Sequence, residues 1–168
     1  MPKPLAHFLS CGVKLIPTYA DGRTKGSWKD ASAFTTSREQ VAEHWQEGFR
    51  LFQLHPADNG LLCFDIDRKN GKDGLQALYT VFTEAGLVLP PYIANLGAFP
   101  AITCTPSGGF HLYLRYKGTP LVSRDIAGGL ECVHENHLIT APGSEKETGI
   151  YRFYGDLQAA PELPSVFL

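Results

Sequence analysis

The chain has 168 residues, of which 43% are hydrophobic and 19% are charged, and its formal net charge is −2. These values are typical of one globular domain, or of two small lobes that share a core. They disfavour a protein that binds nucleic acid over a broad basic face, and no apolar run is long enough for a transmembrane helix or a signal peptide. We therefore expect a cytoplasmic protein that contacts no membrane. The four cysteines are far apart in sequence, so we expect neither a disulfide framework nor a structural zinc site.

The first half of the chain alternates between predicted helices and strands. The second predicted helix has the clearest start, because Ser37 is a good N-cap and Gln40 stands at the capping-box position. The two predicted strands that follow it are separated by a short turn and are expected to form a hairpin. The predicted elements are a helix over 4–12, a strand over 13–17, a helix from Ser37 to Gly48, a strand over 49–55, a turn over 56–60, a strand over 61–67 and a helix over 75–85.

The second half of the chain is rich in predicted strands. A loop is expected over 87–100, where proline and glycine are frequent and no periodicity is present. The strands that follow are predicted over 101–104, 110–116, 129–133, 137–141 and 150–154. An αβ first half and a strand-rich second half together predict the α+β class.

The strand over 61–67 ends in two carboxylates, Asp65 and Asp67, with one residue between them. Side chains alternate across a strand, so both carboxylates are expected on one face. Two like charges at that distance repel, and a divalent ion such as Mg²⁺ or Mn²⁺ would relieve the repulsion. The alternative is that Asp67 caps the following turn and that Asp65 forms a salt bridge with Arg68 or Lys69.

A second pattern is the turn Thr105-Pro106-Ser107-Gly108-Gly109, which is followed by Phe110 and His111. Two glycines allow close approach of the backbone to a ligand and expose N–H groups to an anion. Ser107 adds a hydroxyl, and His111 is placed to donate a hydrogen bond to a phosphate oxygen. The alternative is a plain hairpin corner followed by a core histidine.

A third acid, Glu131, lies on a later predicted strand. Alone it is consistent with an exposed strand residue beside a cation. Together, Asp65, Asp67, Glu131 and the glycine turn suit two-metal phosphoryl transfer, in which three carboxylates hold two divalent ions about 4 Å apart.

In the order of these motifs the sequence resembles the primase–polymerase group of the archaeo-eukaryotic primase superfamily, which is common on plasmids, phages and integrated elements. The resemblance covers almost the whole chain. It rests on the stretches Val13-Lys14-Leu15-Ile16-Pro17 with Lys25, Thr35-Thr36 with His44-Trp45, Gly60 to Asp67, Thr105 to Tyr113, Gly129-Leu130-Glu131-Cys132, Ala141-Pro142-Gly143-Ser144 and Gly149-Ile150-Tyr151.

The resemblance implies roles for individual residues. Asp65, Asp67 and Glu131 would bind the two divalent ions, Mg²⁺ or Mn²⁺, and act as the catalytic acids. The residues implied in binding the nucleotide are Ser107, Gly108, Gly109 and His111, with Arg115 and Lys25 as further candidates for phosphate contact.

The resemblance also implies a fold and an activity. One catalytic domain over residues 1–168 would consist of an N-terminal αβ unit (about 1–60) packed against an RRM-like antiparallel sheet unit (about 61–168), with the active site in the cleft between them. The implied activity is DNA primase and polymerase: template-directed nucleotidyl transfer from nucleoside triphosphates, with single-stranded DNA template and primer as partners. A helicase domain or protein is expected in the same replication system, and residues 161–164 are expected to mark a boundary within a longer protein.

Two other interpretations stay open on the sequence alone. One is a template-independent nucleotidyltransferase or phosphodiesterase, and the other is a degenerate nucleotide- or origin-binding module of a replication protein. The sequence departs from the family pattern after Glu131, where an arginine and a glycine pair are common and this chain has Val133-His134-Glu135-Asn136-His137. A contact of that arginine is therefore absent or is replaced by a histidine.

Overall fold

The computed structural model describes residues 1–86 and 91–163, with only the backbone at positions 92 and 93. Its helices are α1 (Lys3–Ser10), α2 (Arg38–Gln46), α3 (Gly74–Glu84) and α4 (Pro91–Ala94). Its strands are β1 (Ile16–Thr18), β2 (Leu51–Leu54), β3 (Leu61–Ile66), β4 (Ala101–Cys104), β5 (Phe110–Arg115), β6 (Arg124–Ala127), β7 (Leu130–Val133), β8 (Ile139–Thr140), β9 (Glu145–Lys146), β10 (Gly149–Ile150) and β11 (Arg152–Gly155). This mixture of helices and antiparallel sheets confirms the α+β class.

The largest sheet has six strands in the order β11-β4-β5-β3-β7-β6, and the pairings within it are antiparallel. β3 is an interior strand with β5 on one side and β7 on the other. Its first four residues, Leu61 to Phe64, are apolar and buried, which suits an interior strand whose two faces are both covered.

The two faces of β3 contribute to different hydrophobic clusters. Phe64 and Ile66 point to one face and pack with Leu78 and Phe82 of α3. Cys63 points to the other face and packs in a cluster with the apolar side of α1, whose buried residues are Leu5, Phe8 and Leu9. The same cluster includes residues of β2 and α2. Asp65 and Asp67 are two and four positions after Cys63, so they lie on the same face as Cys63, which packs against the N-terminal elements.

A second sheet has three strands in the order β1-β2-β8. The predicted hairpin between β2 and β3 is therefore wrong, because these strands belong to different sheets. The turn between them is a 3₁₀ segment, Ala57–Asn59, closed by Gly60 in the left-handed conformation (φ 63°). Asn59 holds this turn against the segment before β1, since its side chain accepts from Lys14 N at 2.8 Å and donates to the His55 carbonyl at 2.8 Å.

Some predicted boundaries also change. The predicted first strand begins later, at Ile16, and the predicted last strand is divided between β10 and β11, which lie in different sheets. The predicted loop over 87–100 contains α4 and a 3₁₀ segment at Leu96–Ala98, while residues 87–90 lie outside the described residues. β6 has no counterpart among the predicted strands. β8 comes from the second half of the chain but pairs with β2, so the two halves share a sheet.

The capping prediction for α2 is confirmed in detail. Ser37 accepts from the Gln40 backbone N–H at 3.2 Å, and the Gln40 side chain accepts from the Ser37 N–H at 3.3 Å. No helix in the described ranges is long and apolar enough to cross a membrane.

Candidate active site

The register of the six-stranded sheet places Asp65 between two other predicted site residues. Asp65 is directly opposite His111 on β5 and directly opposite Glu131 on β7. Directly opposed residues of antiparallel strands project to the same face, so the three side chains form a row across the sheet. The row continues to Thr103, opposite His111, and to Asp125 on β6, opposite Glu131.

Asp67 lies just beyond the end of β3 and is held there by backbone contacts. Its N–H donates to the Gly129 carbonyl at 2.7 Å, and its own carbonyl accepts from Gly74 N at 2.9 Å. A Cβ at Gly74 would collide with the Gly129 carbonyl, and Gly129 itself has φ 103°. The chain needs glycine at both positions because the segment before β7 and the start of α3 touch backbone to backbone.

The turn that carries Ser107 approaches the same end of β3. Gly109 is buried, and a Cβ there would collide with the Ile66 carbonyl oxygen. Gly108 has φ 84° with open space around it. Glycine is therefore favoured there by the left-handed backbone conformation, and a side chain would meet no collision. Thr105 Oγ1 accepts from Gly109 N at 3.0 Å and lies 3.0 Å from Ser107 Oγ, which keeps the exposed Ser107 hydroxyl at the rim.

Burial and like charge raise the pKa of Asp65. Desolvation is the largest cause, followed by the charges of Asp67 and Glu131, and together they raise the pKa to about 6 against the opposing effect of Lys69 and Lys72. A carboxylate that is costly to ionise in the metal-free protein indicates a place where positive charge is missing.

The outer two acids have partners of their own. Asp67 lies 3.4 Å from Lys69 Nζ and 3.8 Å from Lys72 Nζ, and Glu131 Oε1 lies 2.8 Å from His137 Nδ1. The salt-bridge alternative from the sequence thus applies to Asp67 rather than to Asp65, and the cap of α3 is Asp73. In the ranges 1–86 and 91–163, the acids do not form a group of three with ligand atoms within 4.8 Å of one another.

His111 is nearly fully buried beside Asp65, with a relative exposure of 3%. Desolvation lowers its pKa to about 3, with a smaller contribution in the same direction from Lys146, although the Thr140 backbone and Asp67 oppose the shift. Its Nε2 lies 3.7 Å from Asp65 Oδ1. Because the two pKa values are in this order, His111 is neutral whenever Asp65 is charged, so the contact is not an ion pair. His111 Nδ1 is buried without a hydrogen-bond partner.

Arg115 and Lys25, the two further candidates for phosphate contact, each have an acidic partner. Arg115 is opposite Leu61, at the other end of β3, about 13 Å along the strand from His111, and it pairs with Glu162 at 3.1 Å. The Lys25 ammonium lies 2.6 Å from Glu47 Oε2, 3.1 Å from His44 Nδ1 and over the Phe49 ring.

A cavity of about 710 Å³ lies beside this region. None of the three acids lines this cavity. Its lining residues come from the segments around β1, β2 and β9: Thr18, Tyr19, Ala20, Glu47, Gly48, Phe49, Arg50, Leu51, Glu145, Lys146, Glu147 and Thr148. The β9–β10 hairpin connects the cavity to the site. Lys146 lies over the Tyr151 ring, which is 5.6 Å from the His111 ring, and Gly149 lies against Pro106 of the glycine turn.

Sequence reasoning missed three features of this site. Asp125 was missed because β6 is short and mostly exposed, so it has no hydrophobic signal. His137 was considered only as a replacement for an arginine, and its 2.8 Å contact with Glu131 depends on the loop after β7. The pair Gly128-Gly129 was visible in the sequence and signalled close backbone approach.

Comparison with known proteins supports the resemblance seen in the motifs. Residues 5–166 match the family described as bifunctional DNA primase/polymerase, N-terminal. A comparison with curated protein sequences finds no match. Because the family match spans nearly the whole chain, the protein belongs to the family of bifunctional DNA primase/polymerase N-terminal domains.

Proposed function

We propose that this protein is a DNA primase/polymerase catalytic domain, which joins nucleotides from nucleoside triphosphates to a primer under direction of a single-stranded template. The family is one of DNA primase/polymerase nucleotidyltransferases, and such a domain implies DNA and nucleotide substrates. The observation that carries the proposal is the direct cross-strand pairing of Asp65 with Glu131 on one side and His111 on the other, beside the glycine turn.

The donor set fits hard divalent ions. Asp65, Asp67 and Glu131 offer only carboxylate oxygens, which suit Mg²⁺ and Mn²⁺, and the raised pKa of Asp65 marks where positive charge would be stabilising. When bound, two such ions would lower the pKa of the primer 3′-hydroxyl and neutralise charge on the triphosphate. The acids are held for this task by β3, β7 and the Gly129 contact, which fix their backbones before a ligand arrives.

The glycine turn is proposed to hold the triphosphate. Ser107 and Gly108 are exposed, and the Ser107 hydroxyl faces solvent beside the end of β3, while the Gly108 and Gly109 N–H groups donate to Thr105 within the turn. His111 would act as a neutral hydrogen-bond donor at the base of the site, because its low pKa prevents a charged role at neutral pH. We assign no phosphate contact to Arg115 or Lys25.

The central test replaces the two acids on β3 by their amides. Asp65→Asn with Asp67→Asn is expected to abolish Mn²⁺- and Mg²⁺-dependent primer synthesis and extension while the protein stays folded. Glu84→Gln, an exposed acid at the end of α3, is the matched control and should retain full synthesis. Undiminished synthesis by the double variant would refute the proposal.

The same assay separates the other interpretations. Labelled triphosphates are supplied with and without single-stranded DNA, and product that does not require template indicates a template-independent nucleotidyltransferase. Thermal melting with and without Mn²⁺, compared between the unmodified protein and Asp65→Asn with Asp67→Asn, tests a degenerate binding module, because acids that bind no metal leave the two proteins with the same response to Mn²⁺.

The cavity beside the site is proposed to receive a base of the template strand. Tyr19 is 45% exposed and its ring lies 5.0 Å from that of Phe49, which provides an aromatic surface for stacking. Tyr19→Ala is expected to weaken binding of single-stranded DNA by about 1–3 kcal/mol. Tyr154→Ala is the control, since Tyr154 is similarly exposed on the edge strand β11. Equal losses for the two variants in a fluorescence anisotropy titration would contradict the assignment.

A further inference from the structure

A second group of potential metal ligands lies away from the acids, where α1 meets the segment that follows β11. His7 is on α1, Cys11 is its C-cap residue, and Asp156 follows β11. His7 Nε2 lies 3.3 Å from Asp156 Oδ1 and 3.8 Å from Cys11 Sγ, and all three ligand atoms lie within 4.8 Å of one another. Among the described residues, no other three histidine, cysteine or acidic side chains bring their ligand atoms this close together.

The distances suit a tetrahedral ion. Ligands on zinc with bonds of about 2.0–2.3 Å are separated from each other by roughly 3.3–3.6 Å. The two separations from His7 Nε2, 3.3 Å and 3.8 Å, lie at or close to that range, and the third separation is within 4.8 Å. Imidazole, thiolate and carboxylate are also the donors that zinc uses, whereas the oxygen-only acids near β3 suit harder ions.

The hydrogen bonds around His7 show which of its polar atoms carry lone pairs. Leu157 N donates to His7 Nε2 at 3.2 Å, so Nε2 presents a lone pair and no proton. Asp156 Oδ1 already accepts from Gln158 N at 2.9 Å, and it faces the Nε2 lone pair at 3.3 Å. Both atoms therefore accept from backbone N–H groups, and the Cys11 thiol lies beside Nε2. A divalent cation between the three side chains would take these lone pairs as ligands of one centre.

We propose that His7, Cys11 and Asp156 bind one zinc-type divalent ion, with water as the fourth ligand. On binding, the Cys11 thiol loses its proton to solvent and the Leu157 N–H gives up its bond to Nε2. The ion would join α1 to the segment after β11, which is itself fixed to the large sheet through Asp156 N and the Pro100 carbonyl at 2.7 Å. Bound there, the ion would cross-link the N-terminal helix to the large sheet.

This site escapes prediction from sequence spacing. His7 and Cys11 are four positions apart, but their third partner comes from the far end of the chain. Only the packing of α1 against the end of β11, where the His7 ring lies 5.7 Å from the Phe153 ring, brings Asp156 to them.

Cobalt provides the direct test. The full chain, freed of metal, is titrated with Co²⁺, and the thiolate-to-cobalt charge-transfer absorption is recorded. We expect this band in the unmodified protein and in Cys104→Ser, whose half-buried thiol lies elsewhere. We expect its loss in Cys11→Ser, and at least a tenfold weaker Co²⁺ affinity in His7→Gln, which keeps the thiol. Absence of the band in the unmodified protein, or its persistence in Cys11→Ser, would overturn the proposal.

Melting in Zn²⁺ gives a second measurement. It is made in a background of Asp65→Asn with Glu131→Gln, so that metal at those acids does not contribute. Zn²⁺ is expected to raise the melting temperature by several degrees, and the rise should disappear with either His7→Gln or Cys11→Ser. An equal rise in all variants would show that Zn²⁺ acts at another place, and the proposal would fail.

Discussion

The two ends of β3 differ in what satisfies their side chains. Near its start, residues such as Leu62 and Cys63 are fully buried and are satisfied by contact with other apolar groups. At its end, Asp65 and Asp67 point to the same face as Cys63 but meet charge, with Glu131 directly opposite Asp65. The apolar part of β3 is therefore a rigid support, and this support holds the charged side chains in positions that they would not adopt by themselves.

The largest expected effect lies at the apolar part of the strand. Phe64 is fully buried against α3, and Phe64→Ala should lower the free energy of unfolding by about 3–5 kcal/mol, because it removes apolar contact and leaves a cavity. Urea unfolding measures the loss, with the 44% exposed Ile150→Ala as the control that should change little. A loss near that of the control would show that the support is not rigid.

An intermediate effect is expected where the glycine turn meets the strand. Gly109→Ala should cost about 2–4 kcal/mol, because the new Cβ collides with the Ile66 carbonyl and pushes the turn away from the acids. The neighbouring Gly108→Ala has open space and meets only the left-handed backbone penalty of about 1 kcal/mol. Equal losses for the two variants in thermal unfolding would contradict the close contact.

The smallest effect has the opposite sign and lies at the charged end. The folded-state pKa of Asp65 is raised to about 6, so its favourable contribution is complete below about pH 4 and is lost as the pH rises through 6. Asparagine does not ionise, so Asp65→Asn does not lose stability as the pH rises through 6. The variant should therefore be more stable than the unmodified protein above pH 6, by about 1–2 kcal/mol after allowance for partial solvent screening.

Urea unfolding without metal, from pH 4 to pH 8, measures the difference in the free energy of unfolding between the unmodified protein and Asp65→Asn. It should be small near pH 4 and should reach its full value above pH 6. Mn²⁺ should then stabilise the unmodified protein more than the variant, because the ion supplies the missing positive charge. A variant that is less stable at every pH would contradict the raised pKa.

Much of the fold and part of the site could be predicted from local sequence. The capping box at Ser37 and Gln40, the strand before Asp65 and the turn before His111 are local patterns, and the structure has them. The hairpin between β2 and β3 could not be judged locally, because both edges of β3 are occupied by strands from later in the chain. The position of Arg115 also depends on register: it shares the face of His111, but it lies opposite Leu61, at the other end of β3 from Asp65.

The sequence by itself determined the candidate site residues: two acids at a strand end, a glycine turn with a histidine and a third acid on a later strand. Only the tertiary structure decided that Glu131 and His111 are the direct neighbours of Asp65, that His137 contacts Glu131, and that His7 and Cys11 meet Asp156. The physical reason is that residue type and alternation act over a few positions, whereas strand register and helix docking depend on the simultaneous burial of side chains from the whole chain.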